Sequence, residues 1–217
     1  MASLINQLSE GVFQLNKGFL FTLVELFKRP GHSIREFLEG KRKNHFKPIG
    51  YAFLISTIYF FLARILGTET VLNEVISGVA EGGSPEELID QMNWFADRYA
   101  YVILLFLPLY ALASYLAFKG TGYNYVEHIV LNAYIIGQQS LIYSMYAIMS
   151  YLTGDTNVLA LVMVILSISY QVVVFWQFFH REGNLSLALR SIATYVLSFI
   201  FLSFIMLYIM WQFGILK

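Results

Sequence analysis

No cysteine occurs in the chain, which excludes disulfides, thiolate metal sites and a cysteine nucleophile. Charge is also scarce. Asp, Glu, Lys and Arg make up 13% of the 217 residues against 58% hydrophobic side chains, and the mean hydropathy is +0.62. That is too apolar for the surface of an ordinary soluble domain, so the chain belongs in a bilayer. Catalytic motifs are missing as well: no Gly-x-Ser-x-Gly elbow, no phosphate loop and no His-Glu-x-x-His. The four histidines, His32, His45, His128 and His180, lack ligand spacing, so neither a metal centre nor a cofactor is expected and the chain reads as non-enzymatic. No internal repeat supports an inverted-repeat transporter. The first 45 residues lack the pattern of a removable signal peptide.

What is present is organised around Gly18 to Leu66. From Gly11 to Arg29, Gln14, Lys17, Glu25 and Lys28 fall in one narrow stripe at 100° per residue, and apolar side chains fill the rest. This pattern predicts an amphipathic helix lying at the membrane interface or on a bundle. Pro30 and Gly31 turn the chain. Ser33 and Glu36 have the spacing of a capping box, which predicts a short second helix starting at Ser33 and stopped by Gly40. Lys41-Arg42-Lys43 and Lys47-Pro48 follow, and then an apolar run to Leu66.

The fold class expected is all-α: a polytopic membrane protein with five transmembrane helices preceded by an amphipathic interfacial helical hairpin. Residues 1–48 form the cytoplasmic segment, and residues 49–217 form the bundle, with spans at about 49–66, 99–118, 126–152, 158–179 and 191–213. Arg64 can snorkel from the end of the first span, and Pro108 predicts a kink in the second. Segment 67–98 is acidic and helical, with Gly82-Gly83 as a break and Ser84-Pro85-Glu86-Glu87 as a helix start.

Charge decides orientation. With the amino terminus inside, the inner segments collect Lys17, Lys28, Arg29, Arg35, Lys41, Arg42, Lys43, Lys47, Lys119, Arg181 and Arg190, leaving Arg64, Arg98 and Lys217 outside. The positive-inside rule therefore predicts a cytoplasmic amino terminus and an extracytoplasmic carboxyl terminus in a bacterial inner membrane.

Two groups of residues are candidates for function. The basic group Arg35, Lys41, Arg42, Lys43 and Lys47 suits anionic headgroups at roughly 1 kcal/mol per near-surface charge, or a protein partner. Topology alone also demands such charges, and nucleic acid is not expected beside a span. The third span is the most polar. Glu127, Tyr134 and Gln138 share one stripe, and His128, Asn132, Gln139 and Tyr143 a second about a quarter-turn away. In the fourth span Ser167 aligns with Gln171, and Tyr170, Gln177 and His180 lie near another line. These side chains either line a path for a substrate or satisfy one another as interhelical glue.

Lys17-Gly18-Phe19-Leu20, Thr22-Leu23, Arg29-Pro30-Gly31, Ile34-Arg35-Glu36, Gly40-Lys41-Arg42 and Lys47-Pro48 together resemble the signature of a family of uncharacterised bacterial membrane proteins, a domain of unknown function. The similarity is dense from Lys17 to Tyr59. The layout also resembles the Yip1-like five-span proteins, whose eukaryotic members are linked to vesicle trafficking. Many members of the first family carry a zinc ribbon just upstream, and this chain has no cysteine with which to build one. The resemblance brings no catalytic residues.

Two functions follow as expectations. The first is a scaffold or adaptor that binds partners or anionic lipid through the basic amino-terminal hairpin, with self-association in the membrane. The second is a small transporter, channel or lipid-translocating protein that uses the polar faces of the third and fourth spans. An intramembrane enzyme would need Glu127, His128 and His180 around one pocket.

Overall fold

The computed structural model describes residues 17–68, 70, 73, 89–90, 93–94, 96–154, 157–179 and 183–212. The described residues form seven helices and no strand: α1 (17–28), α2 (Pro30–Leu38), α3 (Pro48–Leu66), α4 (Tyr99–Ala117), α5 (Tyr125–Thr153), α6 (Asn157–Phe178) and α7 (Asn184–Gln212). Four of them, α3, α4, α6 and α7, contain stretches long and apolar enough to cross a membrane, which marks the chain as a membrane protein.

The amino-terminal turn falls where Pro30 requires it, but α2 begins differently from the expectation. Proline's fixed φ and missing N–H suit the first helical position, so α2 starts at Pro30, and Arg29 as N-cap offers no side-chain hydrogen bond. Ser33 is thus already inside the helix, and the expected Ser33–Glu36 capping box does not form. Ser33 Oγ instead lies 3.0 Å from His45 Nε2. Glu36 takes both Nη groups of Arg29 at 3.2 and 3.3 Å, and Arg29 Nε reaches Glu25 at 2.5 Å. The hydrogen bonds from Arg29 hold the Glu36 carboxyl below its ordinary value. Gly40 follows the end of α2 as the expected stop, in the left-handed region at φ +102°.

Segment 39–47 then passes beneath α1. The Phe46 N–H donates to Thr22 Oγ1 at 2.7 Å, and the Phe46 carbonyl accepts from Tyr134 Oη at 2.7 Å. On α1, Thr22 and Leu26 are buried against the bundle, whereas Leu20, Val24 and Phe27 are exposed.

Helix α5 is the central element. Fifteen of its 29 residues are buried, whereas only 22–33% of the spanning windows of the four apolar helices are. Being surrounded by protein, α5 can carry side chains that lipid would reject, which is why it is less apolar than its neighbours. It starts with a capping box: Asn124 Oδ1 accepts the Glu127 N–H at 3.0 Å, and Glu127 Oε2 accepts the Asn124 N–H at 2.7 Å.

The α3–α5 seam depends on Gly137. A Cβ there would sit 2.5 Å from Cδ1 of Tyr51, whose hydroxyl donates to Gln138 Oε1. Further along, Ser56 and Ser140 share a hydrogen bond at 2.9 Å. Gly137→Ala is expected to force the Tyr51 ring aside and to destabilise the protein by about 1–3 kcal/mol. Thermal unfolding in a fixed detergent reads this directly.

Candidate functional site

The two polar stripes of α5 face different neighbours, and this separates structural pairs from a candidate site. Tyr134 binds the segment before α3 through the Phe46 carbonyl, and Gln138 binds Tyr51 of α3. Gln138 Oε1 is occupied by Tyr51, while its buried Nε2 lacks a partner among the described residues. Gln138 therefore lies away from the site built by the second stripe.

Three residues of that second stripe, Asn132, Gln139 and Tyr143, line a cavity of about 320 Å³ between α4, α5, α6 and α7, near the midpoints of the last three. Gln139 Nε2 donates to the Ser167 carbonyl at 3.2 Å and to Gln171 Oε1 at 3.3 Å. Gln171 Oε1 also accepts from Tyr195 Oη at 2.9 Å, and the Tyr143 and Ser167 hydroxyls bond at 2.9 Å. Asn132, Ser198 and two α4 tyrosines, Tyr99 and Tyr110, complete the polar lining. Among the described residues no charged side chain lines this cavity. Ile168 and Phe199, 41% and 73% exposed, belong to its wall, so the cavity reaches the outer surface of the bundle.

At one edge of the lining Asn132 joins a buried cluster. Its Nδ2 donates to Ser114 Oγ at 2.7 Å and to the His128 carbonyl at 2.8 Å, and Ser114 Oγ lies 2.9 Å from His128 Nδ1. His128 is only 1% exposed, packs edge-on against Tyr115 and is stacked beside Phe179, and its Nε2 has no partner among the described residues.

The remaining predicted residues separate from this site. Glu127 is held in the α5 capping box. Gln177, at the end of α6, accepts from the Gly31 N–H at 3.1 Å and lies 3.4 Å from His32 Nδ1. His180 lies outside the described residues, as do Arg181, Glu81, Glu86 and Glu87. Among the described residues no three His, Asp or Glu side chains gather as a metal site would require.

Arg35 is engaged inside the fold. Its Nη1 donates to the carbonyls of Gln177 at 2.5 Å and Phe178 at 2.9 Å, at the carboxyl end of α6. The start of α2 and the end of α6 thus cap each other: Gln177 takes an α2 amide while Arg35 takes α6 carbonyls. Lys41 reaches Glu36 at 3.4 Å. Arg42 Nε donates to the Phe37 carbonyl at 3.3 Å with its guanidinium 5.3 Å from the Phe37 ring centroid. Lys41, Arg42, Lys43 and Lys47 are all exposed.

Sequence reasoning singled out Asn132, Gln139, Tyr143, Ser167 and Gln171 but missed Tyr99 and Tyr110 of α4 and the contribution of α7. Tyr195 and Ser198, three residues apart in an apolar helix, were its only signal. The Asn124–Glu127 capping box at the start of α5 was not singled out in the sequence; its Asn-x-x-Glu spacing was the signal that could have shown it.

A family described as protein of unknown function (DUF3667) matches residues 16–60. No curated protein and no solved structure matches the chain.

Proposed function

We propose that the chain is a non-enzymatic, five-span protein of the bacterial inner membrane that takes a neutral, lipid-like molecule into the cavity between α4, α5, α6 and α7. In this reading α5 is the third of the five spans, the amino terminus is cytoplasmic and the carboxyl terminus extracytoplasmic. The observation that carries the proposal is the lining: hydroxyls and amides from four helices converge on about 320 Å³ of space with no charge among them. Small sites of this kind fix an uncharged ligand by a few hydrogen bonds while apolar walls hold its hydrocarbon. An ion, by contrast, would meet neither a counter-charge nor a ring of carbonyls. Because Ile168 and Phe199 put the wall at the bundle's outer face, entry from the acyl-chain region of the bilayer needs no aqueous path. Lipid translocation follows if such a ligand leaves towards the other leaflet.

The test is retention of lipid by the full chain purified in mild detergent. Ser198→Trp places an indole in the cavity and is expected to lower the recovery of a neutral lipid such as diacylglycerol at least about tenfold, equivalent to roughly 1.4 kcal/mol. Gln139→Leu removes a donor with little change of volume and is expected to act in the same direction. Unchanged recovery in both stably folded variants would rule the cavity out as the binding site.

The scaffold reading is favoured by a separate observation, the exposed row of Lys17, Lys28, Lys41, Lys43 and Lys47 on the hairpin. Arg35 does not belong to that surface, since it caps α6. The adaptor reading therefore predicts that a partner captured by in-cell crosslinking is lost with Lys41→Gln and Lys43→Gln, in a protein whose thermal stability is unchanged.

A further inference from the structure

A second cavity, of about 440 Å³, lies where the hairpin, the start of α3 and the start of α5 meet. Its walls are mostly apolar, with Leu38, Ile49, Val126, Ile129 and Val130 among them, and Ile49 and Val126 are 53% and 65% exposed. Two opposite charges line it: the Arg42 guanidinium and the Glu127 carboxylate. They do not pair with each other, although both are within the same groove, and neither is neutralised elsewhere among the described residues. Arg42 commits Nε to the Phe37 carbonyl and lies over the Phe37 ring, contacts that leave its charge without a counter-ion among the described residues. Glu127 spends Oε2 on the Asn124 amide.

We propose that this groove binds an amine-bearing phospholipid, with the phosphate on Arg42, the primary ammonium on Glu127 and an acyl chain along Ile49, Val126 and Val130. This rests on the spanning arrangement proposed above, which sets Pro48 and Tyr125 at the headgroup level of the cytoplasmic leaflet. It does not rest on the cavity between α4 and α7. Charge complementarity selects the occupant. An anionic headgroup would satisfy Arg42 but meet Glu127 with like charge, and a single-chain cation would leave Arg42 unmet. A zwitterion with its charges a few atoms apart satisfies both. A primary ammonium can donate hydrogen bonds to the carboxylate, whereas a trimethylammonium group cannot.

The experiment is native mass spectrometry of the full chain titrated with phosphatidylethanolamine, phosphatidylcholine and phosphatidylglycerol of identical acyl chains. The expected result is about three- to fivefold greater occupancy by phosphatidylethanolamine than by either competitor, the range that a partly exposed ion pair supplies. Glu127→Gln keeps the capping box, because glutamine serves at that position, and is expected to abolish the preference. Arg42→Gln is expected to lower occupancy by all three lipids, and Ile49→Trp to block them by filling the groove. Equal occupancy of the unmodified protein by the three lipids would overturn the proposal, as would a preference that survives Glu127→Gln. The lipid comparison needs no variant, so a variant that fails to fold leaves the test intact. Ser198→Trp should leave phosphatidylethanolamine binding unchanged, which separates failure of this site from failure of the cavity between α4 and α7.

Discussion

Arg35→Ala is expected to destabilise the protein by about 3 kcal/mol, the sum of two charged hydrogen bonds at the low end of their usual range. The loss arises at α6, because the carbonyls of Gln177 and Phe178 that Arg35 serves sit at the negative end of that helix. Lysine should rescue only part of it, since a single ammonium on a flexible stem replaces a planar fork poorly. At 2–4 °C per kcal/mol for a chain of this length, thermal unfolding in detergent should show a fall of about 10 °C. A change within about 2 °C would mean that the hairpin is held by its apolar contacts alone.

The second large effect is expected at Gly31. Its φ is not positive, so backbone freedom is not the reason for glycine there. The reason is proximity: a Cβ would sit 2.5 Å from both Gln177 Cβ and the Phe178 nitrogen, and 2.7 Å from the Gln177 carbonyl carbon. Two of those three atoms are backbone and cannot rotate away. Gly31→Ala must therefore lift α2 off α6, lengthening the Gly31–Gln177 and Arg35–carbonyl bonds together, at a cost of about 3 kcal/mol. Since both substitutions break one interface, their effects should be less than additive. The double variant should lose barely more stability than Gly31→Ala alone. Full additivity in thermal unfolding would mean that the two residues act at separate places.

These two residues give a physical meaning to the family match. Residues 16–60 include Gly31 and Arg35, which dock α2 on α6, and Tyr51, which locks α3 to α5 through Gln138. Lys17, Lys28, Lys43 and Lys47 within the matched segment are exposed, and Lys41 is exposed while paired with Glu36.

How far the sequence could be read depended on whether a signal was local. Apolar length gave four helices their span assignments, and glycines at 40, 67 and 154 stop helices in the left-handed region. Capping spacing alone does not decide a helix start, since the expectation fell on Ser33 and Glu36 and overlooked the same spacing at Asn124 and Glu127. Asn124 and Glu127 form a box, whereas Ser33 and Glu36 do not, since Pro30 had already started the helix three residues earlier. The polar stripes of α5 were legible as stripes. Which one binds α3 and which one faces a cavity depends on neighbours far along the chain, as the Gln138–Tyr51 and Gln139–Gln171 bonds illustrate. Arg35 carried a charge that looked free for headgroups, and only the approach of α6, more than 140 residues later, accounts for it otherwise. Tyr195 was indistinguishable from the many tyrosines of an aromatic-rich chain until its hydroxyl met Gln171.

The most direct test of the cavity reading is photo-crosslinking in native membranes with a diazirine-bearing diacylglycerol, followed by mapping of the adducts by peptide mass spectrometry. The account predicts adducts concentrated on lining residues such as Ile136, Val164, Ser198 and Leu202, and their disappearance in Ser198→Trp. Adducts confined to outward-facing residues such as Leu161, Ile165 and Phe204, with the lining unlabelled, would contradict it.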